Sequence, residues 1–164
     1  MFKKVLWVVL MCLLFCSLAG GDAEPKLEQL RVMTFNVRVS EGCEPQDRWE
    51  LRRDRQIDLI REYQPDVIGF QEVLKEQLDF LIDSLTEYSM VGEGLLGGIS
   101  REHNAIFFRR DLFYLREAGS FTLPNIPDRV SWTRLSFRDG QEFYVLNTHL
   151  HQNPNDPLSW NILL

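Results

Sequence analysis

The sequence predicts an α/β domain in which one mixed sheet carries helices on one face. Three observations lead there. Short apolar runs recur at residues 30–37, 67–70, 105–108 and 143–150, with the length and composition of strands. Two longer segments, Trp49–Tyr63 and 73–85, repeat their apolar residues at helical intervals. The order strand, helix, strand, helix argues for crossover helices packed on a sheet.

Taken in order, residues 30–37 form a strand that delivers Asn36 to its end. The loop 40–47 carries Gly42 and Pro45 and is expected to be exposed. In Trp49–Tyr63 the residues Leu51, Ile57, Leu59 and Ile60 make the apolar side. The run Arg52-Arg53-Asp54-Arg55 reads as a solvated face, with phosphate binding as the sharper alternative. Gln64-Pro65-Asp66 breaks the helix, and strand 67–70 leads into Gln71-Glu72. Leu78, Leu81, Ile82 and Leu85 form the stripe of the second helix. Residues 92–98 are glycine-rich but lack the spacing and lysine of a phosphate-cradling loop, so they read as a connector.

Strands 105–108 and 113–121 follow, with Arg110-Asp111 in the bend between them. Strands 130–137 and 143–150 make a hairpin about Arg138-Asp139-Gly140-Gln141, an Asp-Gly turn signal. The strands carry apolar residues on both faces, which suits a sheet covered on both sides. The helices cover one side, so the other is expected to be bare and self-association to follow.

The amino terminus reads as a secretory leader. Lys3 and Lys4 precede an apolar stretch, residues 5–15, too short to span a bilayer. Cleavage is expected after Ala19 or Ala23, giving a leader 1–19, a lead-in 20–29 and no stable membrane anchor; an uncleaved anchor is the alternative. Cleavage after Ala19 removes two lysines and no acid, so the mature chain is then two units more acidic than the formal −6. That balance disfavours non-specific binding to polyanions, although a bound cation can invert the field at a phosphate site. Cys43 is left as a lone thiol, which supports neither an internal disulfide nor a cysteine metal site.

Three strands end in polar residues: Asn36, Gln71-Glu72 and Asn147-Thr148-His149. Open α/β sheets place their chemistry at such ends. An amide, a carboxylate and an imidazole are the parts of a hard-metal phosphoester site. Alone, Asn36 also reads as a turn residue, Glu72 as an acid in a helix's first turn, and His149 as a hydrogen-bonded strand-end histidine.

The segments Val32-Met33-Thr34-Phe35-Asn36-Val37-Arg38, Pro65-Asp66-Val67-Ile68-Gly69-Phe70-Gln71-Glu72-Val73, Asn104-Ala105-Ile106-Phe107-Phe108-Arg109-Arg110-Asp111 and Asn147-Thr148-His149-Leu150 closely resemble the endonuclease/exonuclease/phosphatase superfamily, to which deoxyribonuclease I belongs. The resemblance covers residues 30–151. It implies the first half of a two-sheet α/β sandwich of the deoxyribonuclease I type and a metal-dependent phosphoesterase ancestry, with Mg²⁺ or Mn²⁺ as the ion. It assigns Glu72 as metal ligand, with Asn36 beside it in the metal shell. It assigns His149 to the scissile phosphate or to general acid catalysis, Glu102 to the carboxylate that holds this histidine, and Arg129 to a phosphate contact. Glu102 also reads as a surface acid, and His103 and His151 as strand-flanking polar residues. Trp49 and Trp132 read as core.

The family's Gly-Asp-x-Asn and Asp-His motifs do not occur in the chain. Residues 152–164 read as a divergent tail after a truncated domain, and the chain is expected to be inactive by itself. The reading is a secreted phosphodiesterase or nuclease by descent, and the alternative is a non-catalytic half-domain that only makes interactions. The substrate is a phosphoester of unassigned class, with nucleic acid among the candidates.

Overall fold

The computed structural model of the protein describes residues 29–41, 44–92, 102–122 and 129–149. The leader, nearly all of the lead-in, Cys43, most of the glycine-rich connector, His151 and the tail 152–164 lie outside the described residues. Among the described residues no helix is long and apolar enough to cross a membrane.

The order is β1 (Val32–Asn36), a 3-10 turn (Pro45–Asp47), α1 (Trp49–Tyr63), β2 (Val67–Gln71), α2 (Lys75–Ser84), β3 (Tyr88–Val91), β4 (Ile106–Arg109), β5 (Phe113–Thr122), β6 (Arg129–Phe137) and β7 (Glu142–Asn147). The strands divide into a mixed sheet of order β1-β2-β4-β3 and an antiparallel sheet of order β5-β6-β7. This is the expected mixed α/β sandwich class, with one revision. Strands β5 to β7 do not extend the first sheet; they cover its second face. β3 was not foreseen. Its four residues, Tyr-Ser-Met-Val, are too short and too mixed to carry a strand period.

β1 and β2 run parallel, joined by α1 as crossover, and Asn36 sits opposite Gln71 in register. α1 ends where Gln64 turns left-handed at φ 45° and donates its N–H to the Ile60 carbonyl, with Pro65 following. Trp49, Ile57 and Ile60 are buried, but Leu51 and Leu59 face outward, so the apolar side is narrower than expected. In α2, Leu78 and Leu81 are buried with the adjoining Leu85, while Ile82 is exposed. The Gln77 side chain closes the start of α2 by accepting from Leu74 N–H at 3.0 Å. Arg52, expected on a solvated face, turns back onto the chain following β1.

The strands are apolar on both faces because each face has its own core. Ile68, Phe70 and Phe107 pack toward the helices with Ile57, Ile60, Leu78 and Leu81. Val67, Ile106 and Phe108 pack the other way against Phe113, Leu135, Phe137 and Phe143. The second sheet leans on β2 through β7 and on β4 through β6. β1 therefore overhangs past β7 and leaves Val32 largely exposed, while Tyr144 and Leu146, alternating with the inward Phe143 and Val145, stand exposed on the outer face of the second sheet. The bare face expected on the first sheet is thus confined to β1.

Asn147 rivets the two sheets. Its buried side chain donates to the Phe70 carbonyl (2.7 Å) and the Ala105 carbonyl (3.0 Å), and accepts from Gln71 Nε2 (2.7 Å). Gly69 leaves the room it needs: a Cβ there would stand 2.8 Å from Asn147 Oδ1 and 3.0 Å from Cγ.

Tyr88 ties β3 to the end of α1 by donating from its hydroxyl to the Pro65 carbonyl at 2.6 Å. Burial pushes its phenol up to about 12, with Glu87 and Asp66 adding to the rise and Arg109 and Arg31 opposing it. The fold favours the neutral phenol, so this contribution is whole below the ordinary value of 10.0 and falls away as pH rises through about 12. An ultraviolet titration of the folded chain is expected to show one late-ionising tyrosine that disappears in Tyr88→Phe. A Tyr88 that ionises at the ordinary value in the native protein would reject this account.

Candidate active site at the strand ends

The parallel pairing of β1 and β2 brings Asn36 and Glu72 to the same end of the sheet. The Asn36 side-chain nitrogen donates to Glu72 Oε1 at 2.8 Å. After Asn36 the chain turns sharply through Arg38, at φ 58°, and Glu72 itself sits at φ 60°. Two non-glycine residues in the left-handed region cost about 1–2 kcal/mol each; such strain collects at functional sites when the surroundings hold it.

What holds it here is a set of three consecutive amides. Val37 N–H donates to the Gln71 carbonyl at 3.1 Å. Arg38 N–H donates to Asn36 Oδ1 at 2.8 Å, and Val39 N–H to Glu72 Oε2 at 3.1 Å. Asn36 is thus both the turn residue and the orienter of Glu72: its oxygen closes the turn and its nitrogen faces the carboxylate. Glu72 is not an acid of the helix's first turn, since α2 begins only at Lys75 and its first-turn acid is Glu76.

From the second sheet, two residues beyond β7, His149 places Nε2 3.6 Å from Glu72 Oε1. That is too long for a hydrogen bond and becomes an ion pair when the imidazole is protonated. Burial works against ionisation of Glu72. The Asn36 amide, the Val39 N–H, His149 and Arg38 outweigh it and hold the carboxyl below its ordinary value.

The other two expected residues are placed differently. Glu102 leads into His103, which bridges to Val73, the residue after Glu72. No hydrogen bond or ion pair joins Glu102 to His149 among the described residues; the carboxylate that His149 faces is Glu72. His103 is buried, with Nδ1 3.0 Å from the Val73 carbonyl. Arg129 reaches the site through its backbone. Its carbonyl accepts from Asn104 Nδ2 (2.7 Å) and Thr148 Oγ1 (3.3 Å), while its Nε donates to Ser120 Oγ (2.8 Å). Arg38 and Gln77 escaped sequence reading. Gln77 is fully buried and donates to the Arg38 carbonyl at 2.9 Å. A buried glutamine on an otherwise apolar stripe was the available signal.

The donor set suits a hard cation. Each Glu72 oxygen accepts one N–H and keeps a further lone pair, and the carboxylate is partly open to solvent. No group of three His, Cys, Asp or Glu side chains able to hold a metal occurs among the described residues. A single carboxylate is the sparse arrangement Mg²⁺ tolerates, since it keeps waters and takes substrate oxygens as further ligands.

A family model described as the Endonuclease/Exonuclease/phosphatase family matches residues 33–163. No curated protein matches the chain. Solved structures do. An endonuclease/exonuclease/phosphatase from Bacteroides vulgatus is 27% identical, with a TM-score of 0.70 over 74% of this chain and 52% of its own. The mannosyl-6-phosphatase Bt3783 of Bacteroides thetaiotaomicron is 29% identical, with a TM-score of 0.69 over 74% and 52%. D. rerio TDP2 complexed with a single strand DNA product is 19% identical, with a TM-score of 0.66 over 79% and 49%, a likeness of fold alone. The chain spans about half the length of these structures.

Proposed function

Because the chain belongs to the endonuclease/exonuclease/phosphatase family, we propose that it carries the strand-end site of a divalent-metal phosphoesterase, in a secreted protein. The observation that supports this reading is the meeting of Asn36, Glu72 and His149 from three separate strands of two sheets. Glu72 is the residue to hold Mg²⁺ or Mn²⁺, and a bound ion would neutralise and polarise a phosphoryl group. Asn36 and the Val39 N–H fix the carboxylate's orientation. His149, when protonated, would present its N–H to a phosphate oxygen or to the leaving oxygen, 3.6 Å from the Glu72 carboxylate. Arg129 is carried to the same rim by Thr148 and Asn104 and belongs to substrate binding. Glu102 lies one residue before the bridge to Val73.

The substrate is a phosphoester. The acidic balance of the chain favours small or localised phosphates over long nucleic acid. Secretion rests on the leader pattern, and a mature chain starting at residue 20 or 24 is its check.

The deciding experiment assays the longest natural form against nucleic acid, sugar phosphates, phospholipids and inositol phosphates, with Mg²⁺ or Mn²⁺ and with chelator. Hydrolysis of one class is expected, lost with chelator and reduced about a hundredfold or more by His149→Ala. Calorimetry with Mn²⁺ is expected to show weak binding that Glu72→Gln removes. Hydrolysis indifferent to chelator, or undiminished Mn²⁺ binding by Glu72→Gln, overturns the assignment.

A further inference from the structure

We propose that Arg52 is a positioning residue for the Glu72 carboxylate, acting through the turn 37–39. The inference rests on the metal-site reading above. It begins with an asymmetry of that turn. All three of its N–H groups point toward the site, to the Gln71 carbonyl, Asn36 Oδ1 and Glu72 Oε2. All three of its carbonyls point the opposite way, and all three accept from the Arg52 guanidinium. Nη1 donates to the Val37 carbonyl, and Nη2 to the Arg38 carbonyl (2.6 Å) and the Val39 carbonyl (3.0 Å). The remaining nitrogen, Nε, donates to the Asp47 carbonyl at 2.9 Å.

One cation thus gathers three successive carbonyls that would otherwise repel one another in a left-handed turn. Only a planar fork with several donors does this; an ammonium is a single point. The side chain also meets its own helix, with the guanidinium carbon over the Trp49 ring, 5.5 Å from its centroid. Gln56 and Gln77 support the same carbonyls at 3.3 Å and 2.9 Å. The Val37 and Arg38 carbonyls share their peptide groups with the Arg38 and Val39 N–H, so a cation on these carbonyls makes those two N–H groups better donors on the far side. Of these N–H groups Val39 reaches the carboxylate directly, and Arg38 acts through Asn36, whose amide donates to Glu72 Oε1. Arg52 therefore sets where Val39 N–H stands and, through it, where Glu72 Oε2 stands, without touching the carboxylate.

The test uses the full chain with Mn²⁺ alone, in Arg52→Gln and in Arg52→Lys, the second variant being the one to read if the first does not fold. Two readouts are taken: Mn²⁺ affinity, and hydrogen exchange of individual backbone amides. Arg52→Gln is expected to weaken Mn²⁺ about tenfold or more, the scale of losing an outer-shell partner, with Arg52→Lys between it and the parent. The Val39 amide is expected to lose protection in both variants while the amides of Leu81 and Phe107, in the core, keep theirs. A merely structural arginine would lower protection evenly. Parent affinity together with a protected Val39 amide overturns the proposal. If the parent chain takes up no Mn²⁺, the metal-site reading falls, and the Val39 exchange still decides whether Arg52 holds the turn.

Discussion

Asn147→Asp is expected to destabilise the folded chain by about 3–5 kcal/mol at neutral pH, the cost of leaving a charge buried without a full complement of partners. The side chain lies between the sheets, and its two N–H donors serve the Phe70 and Ala105 carbonyls. A carboxylate there would face two carbonyl oxygens and keep a single favourable partner, Gln71 Nε2. Burial favours the protonated acid, so the variant's folded-state carboxyl titrates above its unfolded value. Its deficit is expected to be smallest at low pH and to grow as pH rises. Asn147→Ala is expected to cost less, since it strands polar groups but adds no charge. Gly69→Ala, whose new methyl would press on the same side chain, is expected to cost about 1–3 kcal/mol. Urea unfolding of the three variants at two pH values checks the order. An aspartate variant as stable as the parent at neutral pH would show that Asn147 does not join the sheets.

The helix Trp49–Tyr63 was legible to the residue because Gln64-Pro65 stops it chemically, and the β6–β7 hairpin because Asp139-Gly140 demands a turn. What was not legible is which face each apolar strand residue serves. The pattern Val67-Ile68-Gly69-Phe70 is the same whether one sheet has two covers or two sheets share one core. The structure resolves it by sending Val67 to the second sheet and Ile68 and Phe70 to the helices. The site was legible as a set of residues, since Asn36, Glu72 and His149 each close a strand. Their division of labour was not. Asn36 spends its oxygen on Arg38 and its nitrogen on Glu72, and Arg52 lies inside a charge run that reads as surface. Both facts depend on a turn whose left-handed residues, Arg38 and Glu72, are not the glycines that would announce it.

The chain by itself is expected to hydrolyse phosphodiesters at least about a thousandfold more slowly than a complete family member. Hydrolysis needs a group that takes a proton from water, and the described site has none placed for it. Glu72 is the candidate by position, but its carboxyl is held below the ordinary value by the amides and charges around it. A carboxylate stabilised in that way is a weak base, suited to holding a cation. His149, 3.6 Å from the same carboxylate, is the residue proposed for the phosphate or the leaving oxygen. The sequence contains no Gly-Asp-x-Asn segment to supply a further acid with its own orienting amide. General acid–base groups contribute about 10²–10⁴ each, and residues that act as a unit fail together. The measurement is turnover of a chromogenic phosphodiester by the purified chain with Mn²⁺, alongside His149→Ala and chelator controls. Brisk turnover that both controls abolish would sink the expectation and mean that another acid of this chain activates the water.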